Sequence, residues 1–292
     1  MALFMNQMIN GLHVGSIYAL IALGYTMVYG IVKLINFAHG DIIMIGAYTA
    51  VVTITFLQLP VAVAIIAVIL VCVLSGVLIE RIAYRPLRSS PRISSLITAI
   101  GVSMLLQNTA QLIFSATPIP SPISINIKPI RFGDMQIGFV TLLTIATSVV
   151  LMMFLHLIVQ RTKIGKSMRA VSEDMDAAKL MGINVNTTIT ITFALGCALA
   201  GIGSILFTIA YPQVSPTLGS LPGLKAFIAA VLGGIGIIPG AMLGGFIMGV
   251  AESLTKAYIS SRLSDAVVYG ILIAVLLFKP AGLLGTGVRE KV

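Results

Sequence analysis

Residues 42–79 read IIMIGAYTAVVTITFLQLPVAVAIIAVILVCVLSGVLI and contain no charged side chain. A helix needs roughly 20 apolar residues to cross the hydrocarbon core, so this run is long enough for two crossings, Ile42 to Leu57 and Val61 to Ile79, separated near Pro60. Residues 93–127, 188–224 and 226–251 are equally free of charge. Their apolarity is continuous, whereas a barrel strand would alternate, so the expected fold is all-α, a polytopic transmembrane helical bundle. The composition agrees: 58% of the 292 residues are hydrophobic, 9% are charged and the mean hydropathy is +1.07, against about 25% charged residues in a soluble domain.

Further spans are expected at Met8 to Val32, Ser95 to Ser115, Phe139 to Gln160, Thr188 to Ala210 and Ala266 to Phe278. The first is too long for a signal-peptide core and has no basic region before it, so it reads as a retained span. Leu224 to Lys256 reads as a hairpin, Leu224 to Ile238 going in and Ala241 to Lys256 returning, with Pro239-Gly240 as the turn. At 1.5 Å per residue the first arm is about 22 Å, short of the roughly 30 Å core, and a broken or re-entrant pair follows. The total is about eight to nine membrane segments in one domain, 1–292.

The net charge of +9 sits in short loops, which excludes a nucleic-acid surface and favours the positive-inside bias. Loops 80–94 (Arg81, Arg85, Arg88, Arg92) and 161–187 (Arg161, Lys163, Lys166, Arg169) are expected to be cytoplasmic, as is the tail 279–292 with Arg289 and Lys291. Ala116 to Gly138, with Lys128, Arg131 and Asp134, reads as an external loop. The side of the N-terminus stays open: three full crossings before Glu80 put Met1 outside, and a re-entrant Asn36 to Leu57 segment puts it inside. Cys72 and Cys197 lie in apolar runs and read as small buried side chains.

Gly11 and Gly15 form one small-residue repeat, and Gly236, Gly240 and Gly244, followed by Gly245 and Gly249, form another, which points to close helix packing or a hinge. Between Arg161 and Thr187 the longest polar segment, RTKIGKSMRAVSEDMDAAKLMGINVNT, predicts one short helix over about 170–182. Ser172 would cap it, Glu173, Asp174 and Asp176 would meet the positive end of its dipole, and Gly182 would follow its last turn. Val171, Met175 and Ala178 share a face, an apolar stripe suited to a partner's groove or, less well given three carboxylates, to the headgroups. Gly165-Lys166-Ser167 lacks the upstream glycine and strand of a P-loop, so no nucleotide site is expected.

Four blocks carry a resemblance over nearly the whole chain: NGLHVGSIYALIALGYTMVYGIVKLINFAHGDIIMIGAY (10–48), ERIAYRPLRSS (80–90), GKSMRAVSEDMDAAKLMGINV (165–185) and GLKAFIAAVLGGIGIIPGAMLGG (223–245). They resemble the permease subunit of bacterial branched-chain amino acid ABC importers, the LivH type. The resemblance implies a multi-pass protein of the bacterial inner membrane, no cofactor and no catalysis of its own. It implies as partners a periplasmic amino acid binding protein, a second and different permease subunit and two cytoplasmic ATPase subunits, besides the lipid bilayer. It makes Arg169, Glu173, Asp174, Ala177, Ala178 and Gly182 the expected ATPase-coupling positions.

Polar groups inside a membrane usually face a cavity or one another. Asn36, His39, Gly40 and Asp41 in LINFAHGDI therefore read either as a helix break lining the translocation path or as a short loop after Lys33. A second break at Gly233, Gly234, Gly236, Pro239 and Gly240 favours the path, since paired interrupted helices point to one. His13 and His156 read as packing residues. The expected function is half of the path of an ATP-driven importer working by alternating access. Its rivals are a permease of the same family for amides or urea and an ATP-independent amino acid carrier; three histidines and few intramembrane carboxylates argue against a membrane enzyme.

Overall fold

The computed structural model describes residues 2–88, 90–123, 129–132 and 135–285. Lys128, Asp134, Arg289 and Lys291, named above for the loops and tail, lie outside the described residues. Eleven α-helices are described: α1 (Ala2–Val32), α2 (His39–Val51), α3 (Val61–Ile79), α4 (Arg92–Phe114), α5 (Phe139–Arg161), α6 (Lys163–Glu173), α7 (Met175–Leu180), α8 (Val185–Ala210), α9 (Ser220–Gly233), α10 (Ile238–Tyr258) and α11 (Ser264–Phe278). α2 runs on as a π-helical turn, Val52–Phe56, and α3 as another, Glu80–Tyr84. Four strands of two or three residues are described: β1 (Ile119–Pro120), β2 (Ile130–Phe132), β3 (Met135–Ile137) and β4 (Gln213–Val214). They form two antiparallel pairs, β1 with β4 and β2 with β3.

Among the described residues seven helical stretches are long and apolar enough to cross a membrane, and α9 and α11 are shorter apolar helices. Together they fall within the expected eight to nine segments. The stretches divide by burial: 83% of the α1 window is inside the protein, against 11% for α4 and 17% for α5. A helix apolar on all sides suits either protein or lipid, so α1 is the axis while α3, α4 and α5 present Leu70, Leu74, Leu112 and Phe154 outward.

Without a hydrophobic drive between helices in lipid, close packing has to come from small residues. α1 and α10 run antiparallel with glycines at the crossing. A methyl group on Gly11 would lie 2.6 Å from Val250 Cα, and one on Gly15 would lie 2.8 Å from the Gly245 carbonyl. Farther along α1, Gly30 meets Gly236.

The α9–α10 hairpin is present, but its turn is not at Pro239-Gly240. The chain reverses at Gly234 to Ile237, where Gly234 and Gly236 take φ of +108° and +95°, a region that only glycine enters freely. Pro239 sits in the first turn of α10, where its missing N–H is no loss. The tail returns to this turn, Leu283 and Leu284 donating to the carbonyls of Leu232 and Gly233 at 2.8 and 3.1 Å.

These contacts sort the chain into two faces. On one, Gly30 meets the α9–α10 turn, Tyr84 donates to Asn36, Arg88 to Asn186 and Arg169 to the Val159 carbonyl. The basic loops 80–94 and 161–187 therefore share this face with the tail. On the other, β1 pairs with β4, and Ser253 donates to the Gln7 carbonyl near the start of α1. Since α1, α2 and α3 each carry the chain between faces, α1 begins opposite the basic loops.

Candidate functional site

The break between α1 and α2 lies inside the bundle. α1 ends on Lys33, held at φ +56°, and Leu34 to Ala38 bring the chain back before α2 begins. Asn36, His39 and Asp41 are all buried. Their surroundings differ. The Asn36 side-chain oxygen accepts from Tyr84 Oη at 2.9 Å. His39 packs edge-on against Tyr25 at 4.8 Å between ring centres, and its two nitrogens have no hydrogen-bond partner among the described residues. Asp41 Oδ1 accepts from Gln107 Nε2 at 2.9 Å, and the same amide nitrogen, with its one remaining N–H, lies within hydrogen-bond distance of Ser103 Oγ and Ser220 Oγ at 3.1 and 3.2 Å.

Of the three, Asp41 stands in the wall of a cavity of about 250 Å³ bounded by α1, α2, α4 and α9. Gly40 is in the same wall, for a reason other than turning the chain. It lies within α2, and a methyl group there would come 2.6 Å from the Gly219 carbonyl. Glycine is needed because the start of α9 presses against α2. Tyr25, Phe37, Ile100 and Leu224 supply the apolar wall. Asn36 instead borders a small void with Ile235, so the two chain breaks, at Leu34–Ala38 and Gly234–Ile237, face each other. Gly233 and Gly240 pack backbone to backbone beside the second break.

The 161–187 loop contains two helices rather than the one expected. Thr162 caps α6, its Oγ1 accepting from Gly165 N at 3.0 Å. Asp174 then breaks the helix and caps α7, its Oδ1 accepting from the N–H groups of Asp176 and Ala177 at 2.8 and 3.0 Å. Those two bonds hold the exposed Asp174 carboxyl below the usual carboxylate range. Ser172 does not cap: its hydroxyl donates back to the Arg169 carbonyl. The reason is competition between two side chains for one helix start, and Asp174 accepts two amides where Ser172 has none ahead of it. Glu173 consequently closes α6.

The expected apolar stripe is real but faces inward. Val171 and Ala178 are buried in the main core, with Met175 packed against it. Arg169 also turns in, onto the Val159 carbonyl at the end of α5. Glu173, Asp174, Asp176, Ala177, Lys179 and Gly182 are exposed. At the apex Leu180 is 89% and Met181 81% exposed, two large apolar side chains left uncovered by the chain just before Gly182 at φ +81°. Sequence reasoning missed them because it weighed helix periodicity and not the last turn; an apolar pair directly before a terminating glycine was the available signal.

A third cluster was also missed. On the face opposite the basic loops, Glu252 is buried and accepts from Tyr18 Oη, Lys225 Nζ and Lys256 Nζ at 2.8, 2.8 and 2.6 Å, and Lys225 also pairs with Asp265 at 2.7 Å. Lys225 interrupts an otherwise uncharged run from 188 to 251, and that isolation was its signal.

Residues 7–276 match the family model described as branched-chain amino acid transport system / permease component. Among curated relatives, the chain is 44% identical to the high-affinity branched-chain amino acid transport system permease protein BraD of Pseudomonas aeruginosa, covering 99% of this chain and 98% of that one. It is 42% and 41% identical to the corresponding LivH proteins of Salmonella typhimurium and Escherichia coli, with the same coverage. No solved structure matches the chain.

Proposed function

Because the chain belongs to the branched-chain amino acid transport permease family, a family of transport subunits and not of enzymes, we propose that it is one transmembrane half of an ATP-driven importer for leucine, isoleucine or valine. The match extends over 99% of the chain at 44% identity, and that full-length likeness is the observation that carries the reading. The partners are a second permease subunit, two cytoplasmic ATPases and a periplasmic binding protein, in the bacterial inner membrane. The basic face, with loops 80–94 and 161–187, is cytoplasmic by the positive-inside bias, and the N-terminus of α1 is periplasmic.

Leu180 and Met181 are the apolar knob that enters an ATPase groove, ringed by Glu173, Asp174, Ala177 and Gly182. Arg169 and Ala178 act one step back, holding α6 and α7 on the bundle. Force on the knob passes through Val171 and Met168 into the core beside α1 and α8. The two facing breaks give α2 and α9 short, interrupted helices that can change relation to α1 while the glycine-packed α1–α10 pair stays intact. A transported molecule biases such an equilibrium only through contacts that differ between the two states.

The test is reconstitution. Vesicles with the whole assembly should accumulate leucine with ATP inside the cytoplasm-facing compartment, and the chain alone should not. A cysteine at Leu180 should cross-link to an ATPase subunit. Accumulation by the chain alone under an ion gradient would establish the carrier reading instead.

A further inference from the structure

Among the described residues three carboxylates are buried, and two of them are neutralised by the protein. Glu252 holds two lysines and a tyrosine hydroxyl. Glu80 holds Arg88, and Thr190 donates to it at 2.8 Å. Asp41 is 1% exposed and differs: Oδ1 has the Gln107 amide, Oδ2 has no hydrogen-bond partner, and no Lys, Arg or His nitrogen comes within salt-bridge distance among the described residues. A carboxylate buried at membrane depth without a cation is among the costliest arrangements a chain can hold, and such groups persist where a ligand completes them.

From this we infer that Asp41 is the counter-charge for the ammonium group of the amino acid in transit, held in the cavity between α2, α4 and α9. The inference rests on the permease reading and deepens it. The cavity, at about 250 Å³, has a polar strip of Asp41, Ser103, Gln107 and Ser220 beside an apolar wall that includes Phe37 and Ile100. One end of a branched-chain amino acid is an ammonium and the other an aliphatic side chain, and the two kinds of wall match that division. Gln107 positions the carboxylate, bridging Asp41 on α2, Ser103 on its own helix α4 and Ser220 on α9. Movement of α9 against α2 would therefore pull on the donor that holds Asp41, so affinity for the ammonium would differ between the two states of the permease.

The experiment uses the complete assembly in lipid nanodiscs. Leu224→Cys, at the partly exposed rim of the cavity, is labelled with a maleimide, the native Cys72 and Cys197 being buried. Leucine and 3-methylbutylamine should slow labelling about tenfold, as expected of a charge-assisted contact, while 4-methylpentanoate, which lacks the ammonium, should not. In Asp41→Asn, which keeps the size and the acceptor for Gln107, protection by both amines should be lost. Equal protection by 4-methylpentanoate, or none by leucine, overturns the assignment using unaltered Asp41 and so does not depend on how the variant folds. Unchanged protection in Asp41→Asn overturns it as well. Failure of the wild-type assembly to import leucine would strike the permease reading instead, and is scored separately by uptake.

Discussion

Lys225 donates to Glu252 at 2.8 Å across the α9–α10 hairpin and reaches Asp265 on α11 at 2.7 Å with the same ammonium. With Tyr18 of α1 bound to the other carboxylate oxygen, this buried cluster ties α1, α9, α10 and α11 together on the face opposite the basic loops. Removing one partner of a buried ion pair strands the other and typically costs about 3–5 kcal/mol, whereas replacing both with apolar groups is often close to neutral. Glu252 keeps Lys256 and Lys225 keeps Asp265 when the other is replaced, so Lys225→Met or Glu252→Leu alone should each lower the thermal midpoint of the purified complex, by less than a fully stranded charge would. The double variant should recover much of the loss, and losses that simply add would show the pair to be uncoupled.

The α1–α10 seam makes a sharper demand on size than on polarity. Gly15→Ala places a methyl group 2.8 Å from the Gly245 carbonyl and 2.9 Å from Phe246 Cα, so backbone must move. Overpacking of this kind costs about 1–3 kcal/mol. Gly101 in α4 has nothing within 4 Å of the same position, and Gly101→Ala should be neutral or slightly stabilising, since alanine is the better helix former. Unfolding of the two variants side by side in one detergent checks the contrast; equal losses would refute the seam.

The spans were legible because apolarity and length alone decide what can cross a bilayer. The predicted Val61 to Ile79 coincides with α3, and Phe139 to Gln160 with α5 to within one residue. The α9–α10 hairpin followed from the basic loops and the short first arm. Its turn was misplaced because Pro-Gly signals a turn in isolation, while here two positive-φ glycines upstream make it and the proline starts the next helix. The site was less legible for a different reason. Asn36, His39 and Asp41 stand out as polar residues in apolar sequence, but the partners that distinguish them, Tyr84 and Gln107, come from elements 48 and 66 residues away. The direction of the Val171, Met175 and Ala178 stripe was equally invisible: periodicity says that a face is apolar and not which neighbour covers it.

Neighbouring alanines in α7 should separate docking from folding. Ala177 is exposed, and Ala178 is 3% exposed within the core. Ala178→Leu should destabilise the complex by about 1–3 kcal/mol through overpacking and reduce the amount of intact assembly. Ala177→Leu should leave stability unchanged and, if the proposed docking holds, lower transport per ATP hydrolysed, because the added bulk would lie in the face proposed to meet the ATPase. Thermal unfolding and a paired uptake and hydrolysis assay measure the two effects, and identical profiles would remove the distinction.

Asp174 makes the shape of the loop depend on pH. Its carboxylate caps α7, and the amides of Asp176 and Ala177 depress its pKa below the ordinary aspartate value. A group whose folded pKa is depressed stabilises fully above its unfolded pKa and loses that contribution as pH falls through the folded one. The cap should therefore be intact at neutral pH and fail only in acid, below the normal aspartate range, where the protonated oxygen is a weak acceptor. A spin label at Leu180 should become more mobile over that window in the wild type. In Asp174→Asn, whose amide oxygen accepts at every pH, mobility should stay low and flat; in Asp174→Ala it should be high even at neutral pH. A wild-type label whose mobility changes instead near pH 6 to 7 would assign the transition to some other group.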